Sequence, residues 1–180
     1  TQNECIADAT EHWRRNKGRC NGSMYWQLND CWGVCSWSSI DYYGNYKALQ
    51  YGARHFNAPV SVSIENTEEY IKLFVLNDLK EKQDVTVTYD IFDFVSGTKQ
   101  SDKKDVSIDA AKNELVFELD VKSLAKAYDL KRTGVAVKLF KNGELLQQKT
   151  VLFDKEKKLN LPKAKLKTRI EIKEDRLDIT

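Results

Sequence analysis

The sequence predicts a mainly β chain with a short α/β segment in front of it, and three observations carry that class. Apolar and polar residues alternate with period two over most of the chain after Pro59, as half-buried strands require. Turn-forming Gly, Asn, Asp and Ser break those runs at short intervals. Composition shifts abruptly at Ala58-Pro59: all four Trp and all four Cys lie before it, and Val, Leu, Lys and Asp dominate after it. A boundary is expected there, giving segments 1–57, 58–163 and 164–180.

Taken in order, residues 4–16 read as a helix. Ile6, Ala7, Ala9 and Trp13 offer an apolar face, while Arg14, Arg15 and Lys17 suit the negative end of the helix dipole. Gly18 is placed to terminate it. A strand over Arg19–Leu28 is expected next, its run Met24–Leu28 buried, and it breaks at Asn29-Asp30, which are poor strand formers. A loop rich in Trp, Ser, Asp and Tyr follows, with Asp41 and Tyr42 expected to begin or cap a second helix over Tyr46–Phe56. Helix, strand, loop, helix is the order of the closing units of a (β/α)8 barrel, and the segment holds room for about one and a half of eight such units.

The β segment resolves into successive strands. Val60, Val62 and Ile64 alternate with Ser61, Ser63 and Glu65; Ile71, Leu73 and Val75 follow. Val85, Val87, Tyr89 and Ile91 form a third strand, and Phe92 and Phe94 fall out of parity with it, which marks a bulge. A turn at Ser96-Gly97-Thr98 precedes a short strand at Val106 and Ile108. Leu115, Phe117, Leu119 and Val121 make another strand, and Ser123–Tyr128 one helical turn. Val135, Val137 and Leu139 lead into Asn142-Gly143, a strong type I′ hairpin signal, and Leu145–Phe153 returns. Seven strands with closely spaced turns describe an immunoglobulin-like β-sandwich, without the Cys…Trp…Cys core of antibody domains. Beyond Pro162, Leu166, Thr168, Ile170 and Ile172 alternate again and Leu177 and Ile179 close the chain, as the start of a further, truncated β module would.

Composition excludes several classes. The chain has 180 residues, 41% hydrophobic and 31% charged, as in ordinary globular proteins. A net charge of +2, with Lys and Arg scattered among Asp and Glu, argues against nucleic acid. No apolar run approaches the length of a membrane span, and no membrane partner is expected. The chain opens on Thr1 rather than Met and is expected to be an excised piece. Cys5, Cys20, Cys31 and Cys35 lack the paired short spacings of a zinc site and read as buried free thiols; no metal and no cofactor is expected. His12 and His55 sit on helices without a nucleophile nearby in sequence and read as structural. Asn21-Gly22-Ser23 matches a glycosylation sequon but falls within the expected buried strand.

The stretch with most chemical character is the loop. Aromatic faces beside amide and carboxylate groups at a strand's end suit a polyhydroxy ligand, whose C–H faces pack on indole and whose hydroxyls need fixed donors and acceptors. The run Glu11-His12-Trp13-Arg14-Arg15-Asn16, then Tyr25-Trp26-Gln27-Leu28-Asn29-Asp30-Cys31-Trp32, then Ser36-Trp37-Ser38-Ser39-Ile40-Asp41-Tyr42, resembles the last barrel strand and following loop of family 2 glycoside hydrolases, above all the β-mannosidases. It departs at Gly33, where the family usually has Pro, and at Cys35, where a small residue such as Ala stands. The β segment resembles the sandwich module that follows the barrel, best around Ala58-Pro59-Val60 and Phe153–Pro162.

That resemblance implies the C-terminal end of a catalytic barrel plus an accessory sandwich, in a parent that hydrolyses terminal β-mannosides with retention. The family's two catalytic Glu lie on earlier barrel strands, so no residue here is assigned a catalytic role. Asp30 and Asp41 do not match those Glu positions, and Glu4, Asp8 and Glu11 fall on the first helix. The substrate-binding candidates are Trp26, Asn29 and Asp30. Trp26 matches the aromatic that walls the sugar subsite, against a barrel-core Trp as the plain alternative; Asn29 and Asp30 orient hydroxyls or cap the loop through Asx turns. Trp32 and Trp37 read as loop packing. The implied partners are a β-mannoside or oligosaccharide and the rest of the parent chain. Two other readings stand beside this one. The sandwich is a carbohydrate-binding module, for which Tyr70, Tyr89 and Tyr128 are the candidate platforms, or the parent is a β-galactosidase- or β-glucuronidase-like enzyme of the same family. For the sandwich by itself, a structural spacer is the preferred role.

Overall fold

The computed structural model describes residues 1–163, 168–172 and 177–179. Helix α1 runs Gln2–Arg15 and α2 runs Ala48–Phe56. Seven strands follow: β1 Val60–Asn66, β2 Tyr70–Asn77, β3 Gln83–Asp93, β4 Gly97–Ile108, β5 Asn113–Asp120, β6 Thr133–Lys141 and β7 Glu144–Leu152. A short helix α3, Val121–Ala127, links β5 to β6; the Asp120 carboxylate caps it by accepting from the Ser123 N–H at 2.7 Å.

The strands form two antiparallel sheets, β1-β2-β5 and β4-β3-β6-β7. Their inner faces share one core. Val62, Leu73, Val75 and Val116 of the first sheet meet Val87, Tyr89, Ile91, Val135, Val137 and Leu139 of the second, with Val106, Ile108 and Val151 at the margins. Tyr89 packs edge-on against Phe117, ring centroids 5.0 Å apart. The expected immunoglobulin-like sandwich is therefore the observed one.

Local signals explain the details. The register of β3 against β4 shifts between Ile91 and Phe92, but the extra residue is Lys99 of β4; β3 itself stays regular against β6, so the expected bulge falls on the neighbouring strand. Asn142 and Gly143 both take positive φ, 52° and 81°, as a type I′ hairpin between β6 and β7 requires.

Three expectations need correction. Strand β4 is far longer than Val106–Ile108, because its first nine residues are an exposed polar edge with no apolar alternation to betray it. Lys99, Lys103 and Lys104 on that edge discourage pairing with another chain. In β5 the core side chain is Val116 rather than Leu115, because the ladder skips it: Leu73 faces Phe117 and Phe74 faces Leu115. The third correction is the buried strand over Arg19–Leu28, which does not form. Residues 20–25 are irregular, Met24 is 97% exposed and Leu28 57%. Among the described residues no strand lies alongside to pair its backbone, and a single isolated bridge, Asn29 with Ile40, follows just past the segment.

After residue 163, Ile170–Ile172 and Leu177–Ile179 pair as antiparallel β8 and β9. Leu166 and Lys167 of the alternation expected there lie outside the described residues.

Helix α1 lies against the sandwich where β1 and β7 come together. Arg14 donates to the Phe56 and Ala58 carbonyls and to Asp78, and Arg15 donates to Ser63 Oγ and the Ile64 carbonyl. Lys149 of β7 pairs with Glu11, and Lys17 with Asp78. Asn113 Nδ2 donates to the last carbonyls of α1, those of Arg14 and Arg15.

Candidate functional site

The site is the loop between the two N-terminal helices. Its centre is Asp30, 4% exposed. Ser36 Oγ donates to Asp30 Oδ1; Ser38 Oγ donates to Oδ2 at 2.8 Å and Lys47 Nζ to Oδ2 at 3.0 Å. Lys47 Nζ also reaches Ser38 Oγ at 2.7 Å. The Ser36 hydroxyl first, then the Ser38 hydroxyl and the Lys47 ammonium, hold the Asp30 carboxyl below the usual carboxylate range against the cost of burial. It is an ionised anchor.

Backbone bonds tie the rest of the loop to that anchor. Ser39 N–H donates to the Gln27 carbonyl at 3.0 Å, Ile40 N–H to Leu28 at 2.8 Å and Asp30 N–H to Ile40 at 3.1 Å. Ser39 Oγ lies within hydrogen-bond distance of the Leu28 carbonyl, Gln50 Oε1 and the Tyr25 hydroxyl. The Trp26–Gln27 peptide bond is cis. Trp37 lies between two serines that donate to one carboxylate, so its side chain is turned outward.

The consequence is a display of aromatic surface. Trp26 and Trp37 are each 70% exposed and Trp32 66%, with Tyr42, Tyr43 and Tyr46 also exposed. Within this chain the indoles of Trp26, Trp32 and Trp37 are left uncovered. Asn29 is exposed beside them, its Nδ2 donating to the Asp30 carbonyl at 3.2 Å. Structure thus gathers Trp26, Asn29 and Asp30 on one loop, two at its surface and one at its centre. The sequence reading missed Lys47, Ser36 and Ser38. Their signal was the Ser-Trp-Ser spacing, which sets two hydroxyls on one side and an indole on the other.

Asp41 closes a turn and does not cap a helix. It accepts from the N–H groups of Tyr43 and Asn45 and from Asn45 Nδ2, and Lys47 is the residue before α2. The Asn45 side chain first, then its backbone, pull the Asp41 carboxyl below its ordinary range. Both loop carboxylates are thus engaged from within the loop.

The cysteines also differ from expectation. Cys5, Cys31 and Cys35 are exposed and Cys20 half-buried, all as free thiols. The interior of the loop is taken by Asp30, Ser38 and Ser39, which leaves no apolar space for Cys31 or Cys35. Asn21-Gly22-Ser23 is exposed, since the strand that was to bury it is absent. Among the described residues no group of three or more His, Cys, Asp or Glu is placed to hold a metal ion, and no helix is long and apolar enough to cross a membrane.

A cleft of about 730 Å³ lies elsewhere, between α1 and the sandwich, with Asp8, Glu11, Arg15, Glu65 and Lys149 in its wall. Burial, then Glu11, raises the Asp8 carboxyl, and burial lowers the Lys149 ammonium. None of Trp26, Asn29 and Asp30 lines it.

Comparison with known proteins bears on both halves of the chain. The family model described as Mannosidase Ig/CBM-like domain matches residues 69–158. A β-mannosidase of Bos taurus is 47% identical over 66 residues, 33% of this chain and 8% of that protein. A β-mannosidase of Mus musculus is 31% identical over 134 residues, 69% of this chain and 15% of that protein. The chain thus spans a small part of the curated relatives it matches. The crystal structure of β-D-mannosidase from Dictyoglomus thermophilum superposes with a TM-score of 0.81 at 31% identity, over 89% of this chain and 19% of that one. An exo-chitosanase of Amycolatopsis orientalis shares the fold, with a TM-score of 0.70 at 19% identity over 83% of this chain and 18% of that one.

Proposed function

The chain belongs to the Mannosidase Ig/CBM-like domain family, and from that premise we propose that it is the C-terminal portion of a β-mannosidase-like family 2 glycoside hydrolase whose parent removes terminal β-mannosides with retention. The observation that carries the reading is the loop itself. It carries indoles that this chain leaves uncovered, set over an ionised, internally satisfied anchor, and such aromatic faces suit the apolar face of a sugar. Trp26 supplies the wall of the subsite, Asn29 an amide for hydroxyls, and Asp30 shapes the loop that presents them. The rest of the parent packs against this segment and supplies the two carboxylates that retention needs, about 5–5.5 Å apart. The 180-residue chain alone is inactive in this reading, since Asp30 and Asp41 are both committed to loop structure.

The sandwich serves as a structural accessory. A sugar-binding role for it lacks a platform: Tyr89 is 4% exposed, the Tyr70 ring is covered by Lys72 Nζ at 4.0 Å, and the Tyr128 hydroxyl bonds Gln100.

The test is release of nitrophenol from an aryl β-mannoside by the full-length protein, its Trp26→Ala variant and the isolated chain. The full-length protein should turn over and the chain should not. Trp26→Ala should lower kcat/KM by about 2–4 kcal/mol in barrier, with the melting temperature little changed. A large loss of melting temperature with activity per folded molecule intact makes Trp26 a packing residue instead. Activity of the purified chain that vanishes with Asp30→Asn overturns the assignment of catalysis to the rest of the parent.

A further inference from the structure

We infer that Lys47 is a positioning residue of the sugar site, acting through Asp30 and Ser38 to set the indoles of Trp26 and Trp37. The inference rests on the loop being the sugar-binding surface, but its geometry stands apart from any substrate.

Lys47 directly follows Tyr46, the last exposed aromatic of the loop, and carries no aromatic surface of its own. Its ammonium contacts the Asp30 carboxylate at 3.0 Å and Ser38 Oγ at 2.7 Å. The Asp30 side chain is 1% exposed and that of Lys47 27%, so the pair is screened on one side only. Burying that carboxylate without a cation is costly, and the two serine hydroxyls alone leave its charge uncompensated. Removing the ammonium therefore forces either a proton onto Asp30 or water into the loop. Either change weakens the paired donation from Ser36 and Ser38, which is what turns Trp37 outward between them.

The same perturbation reaches Trp26 by a second route. Ser38 leads directly into Ser39, whose N–H holds the Gln27 carbonyl, and into Ile40, whose N–H holds the Leu28 carbonyl. Lys47 itself closes the circuit, its backbone N–H donating to the Ser39 carbonyl at 2.9 Å. As the residue before α2, it is fixed at its backbone by the helix and at its tip by the carboxylate. It thus transmits the position of α2 to the loop that carries Trp26 and Trp37.

Two measurements test this. In the 180-residue chain, the indole N–H resonances of Trp26 and Trp37 should shift and broaden in Lys47→Met, while that of Trp13 on α1 stays in place as an internal control. In the full-length protein, Lys47→Met should lower kcat/KM for an aryl β-mannoside by about tenfold or more. Lys47→Arg, which keeps the charge, should retain more activity than Lys47→Met. Because the two residues act as one unit, Lys47→Met combined with Asp30→Asn should cost no more than the worse single change. Losses that multiply, or unmoved Trp26 and Trp37 resonances, overturn the inference. If the full-length protein does not cleave the mannoside at all, the functional reading fails, and the resonances alone decide the role of Lys47.

Discussion

Asp30 is the residue on which the loop turns, and its oxygens show how. A carboxylate offers roughly four acceptor positions, and Ser36, Ser38 and Lys47 occupy three of them from within the chain. Those bonds exist in this form only with the ionised carboxylate, so the loop is linked to pH. The folded-state pKa is lowered, by Ser36 above all, relative to about 3.9 in an unfolded chain. A depressed carboxylate contributes stability that is present above the unfolded value and is lost as pH falls through the folded one. Tryptophan emission from the loop should accordingly be constant from neutral pH down to about pH 5 and change only below about pH 4. Asp41 is lowered as well, by Asn45, and its titration falls in the same range. Asp30→Asn separates the two: a variant whose emission still follows the wild-type acid transition assigns that transition to Asp41 or to general unfolding.

At the scale of elements, the tight point of the sandwich is Gly134 in β6. It faces Phe92 of β3 and Leu152 of β7. A Cβ added there would stand 2.8 Å from the Phe92 ring and 3.3 Å from the Val151 carbonyl oxygen. The regular register of β3 against β6 sets Phe92 directly opposite Gly134, which is what brings its ring across the glycine. Gly134→Ala should therefore destabilise the sandwich by about 1–3 kcal/mol, read as a lower urea midpoint at unchanged slope. Unaltered stability would mean that the ring swings aside at no cost. Elements like β3 and β6 are legible in the sequence because both of their neighbours are strands and one face is buried, which enforces alternation. The Asn142-Gly143 hairpin is legible from its two residues alone, whereas the bulge expected from Phe92 and Phe94 lies across the ladder at Lys99 of β4, in a polar stretch that carries no parity to read. Strand β4 hid because an edge strand with a polar outer face has little to alternate. Residues 19–28 read as a strand from an apolar run, yet a strand forms only where a neighbour satisfies its backbone, and a single run does not announce its neighbour. The aromatic loop was legible as a sugar-like surface, whereas its anchor Lys47 was not, since a lone lysine has no pattern.

The whole molecule is asymmetric in where its apolar burial lies. Of the buried hydrophobic side chains among the described residues, only Leu49 and Phe56 come from the first 57, and the rest belong to the sandwich segment. The N-terminal segment is held instead by polar contacts across its junction: Arg14 to the Phe56 and Ala58 carbonyls and Asp78, Arg15 to Ser63, Lys17 to Asp78, and Lys149 to Glu11. Such contacts position more than they stabilise, because each ion pair gives back much of its attraction in desolvation. It follows that residues 58–163 expressed alone should unfold in one cooperative transition, at a lower temperature than the whole chain because Asp78, Ser63 and Lys149 lose their partners. Residues 1–57 alone should show no such transition, with two buried apolar side chains too few to repay the entropy of ordering the segment. The check is calorimetry on both pieces. A sandwich piece without a cooperative transition would place the boundary wrongly and make α1 part of the same folding unit. In that event Arg14→Ala in the whole chain would lower the melting temperature as severely as truncating Leu73 in the core, where autonomy of the sandwich requires it to cost clearly less.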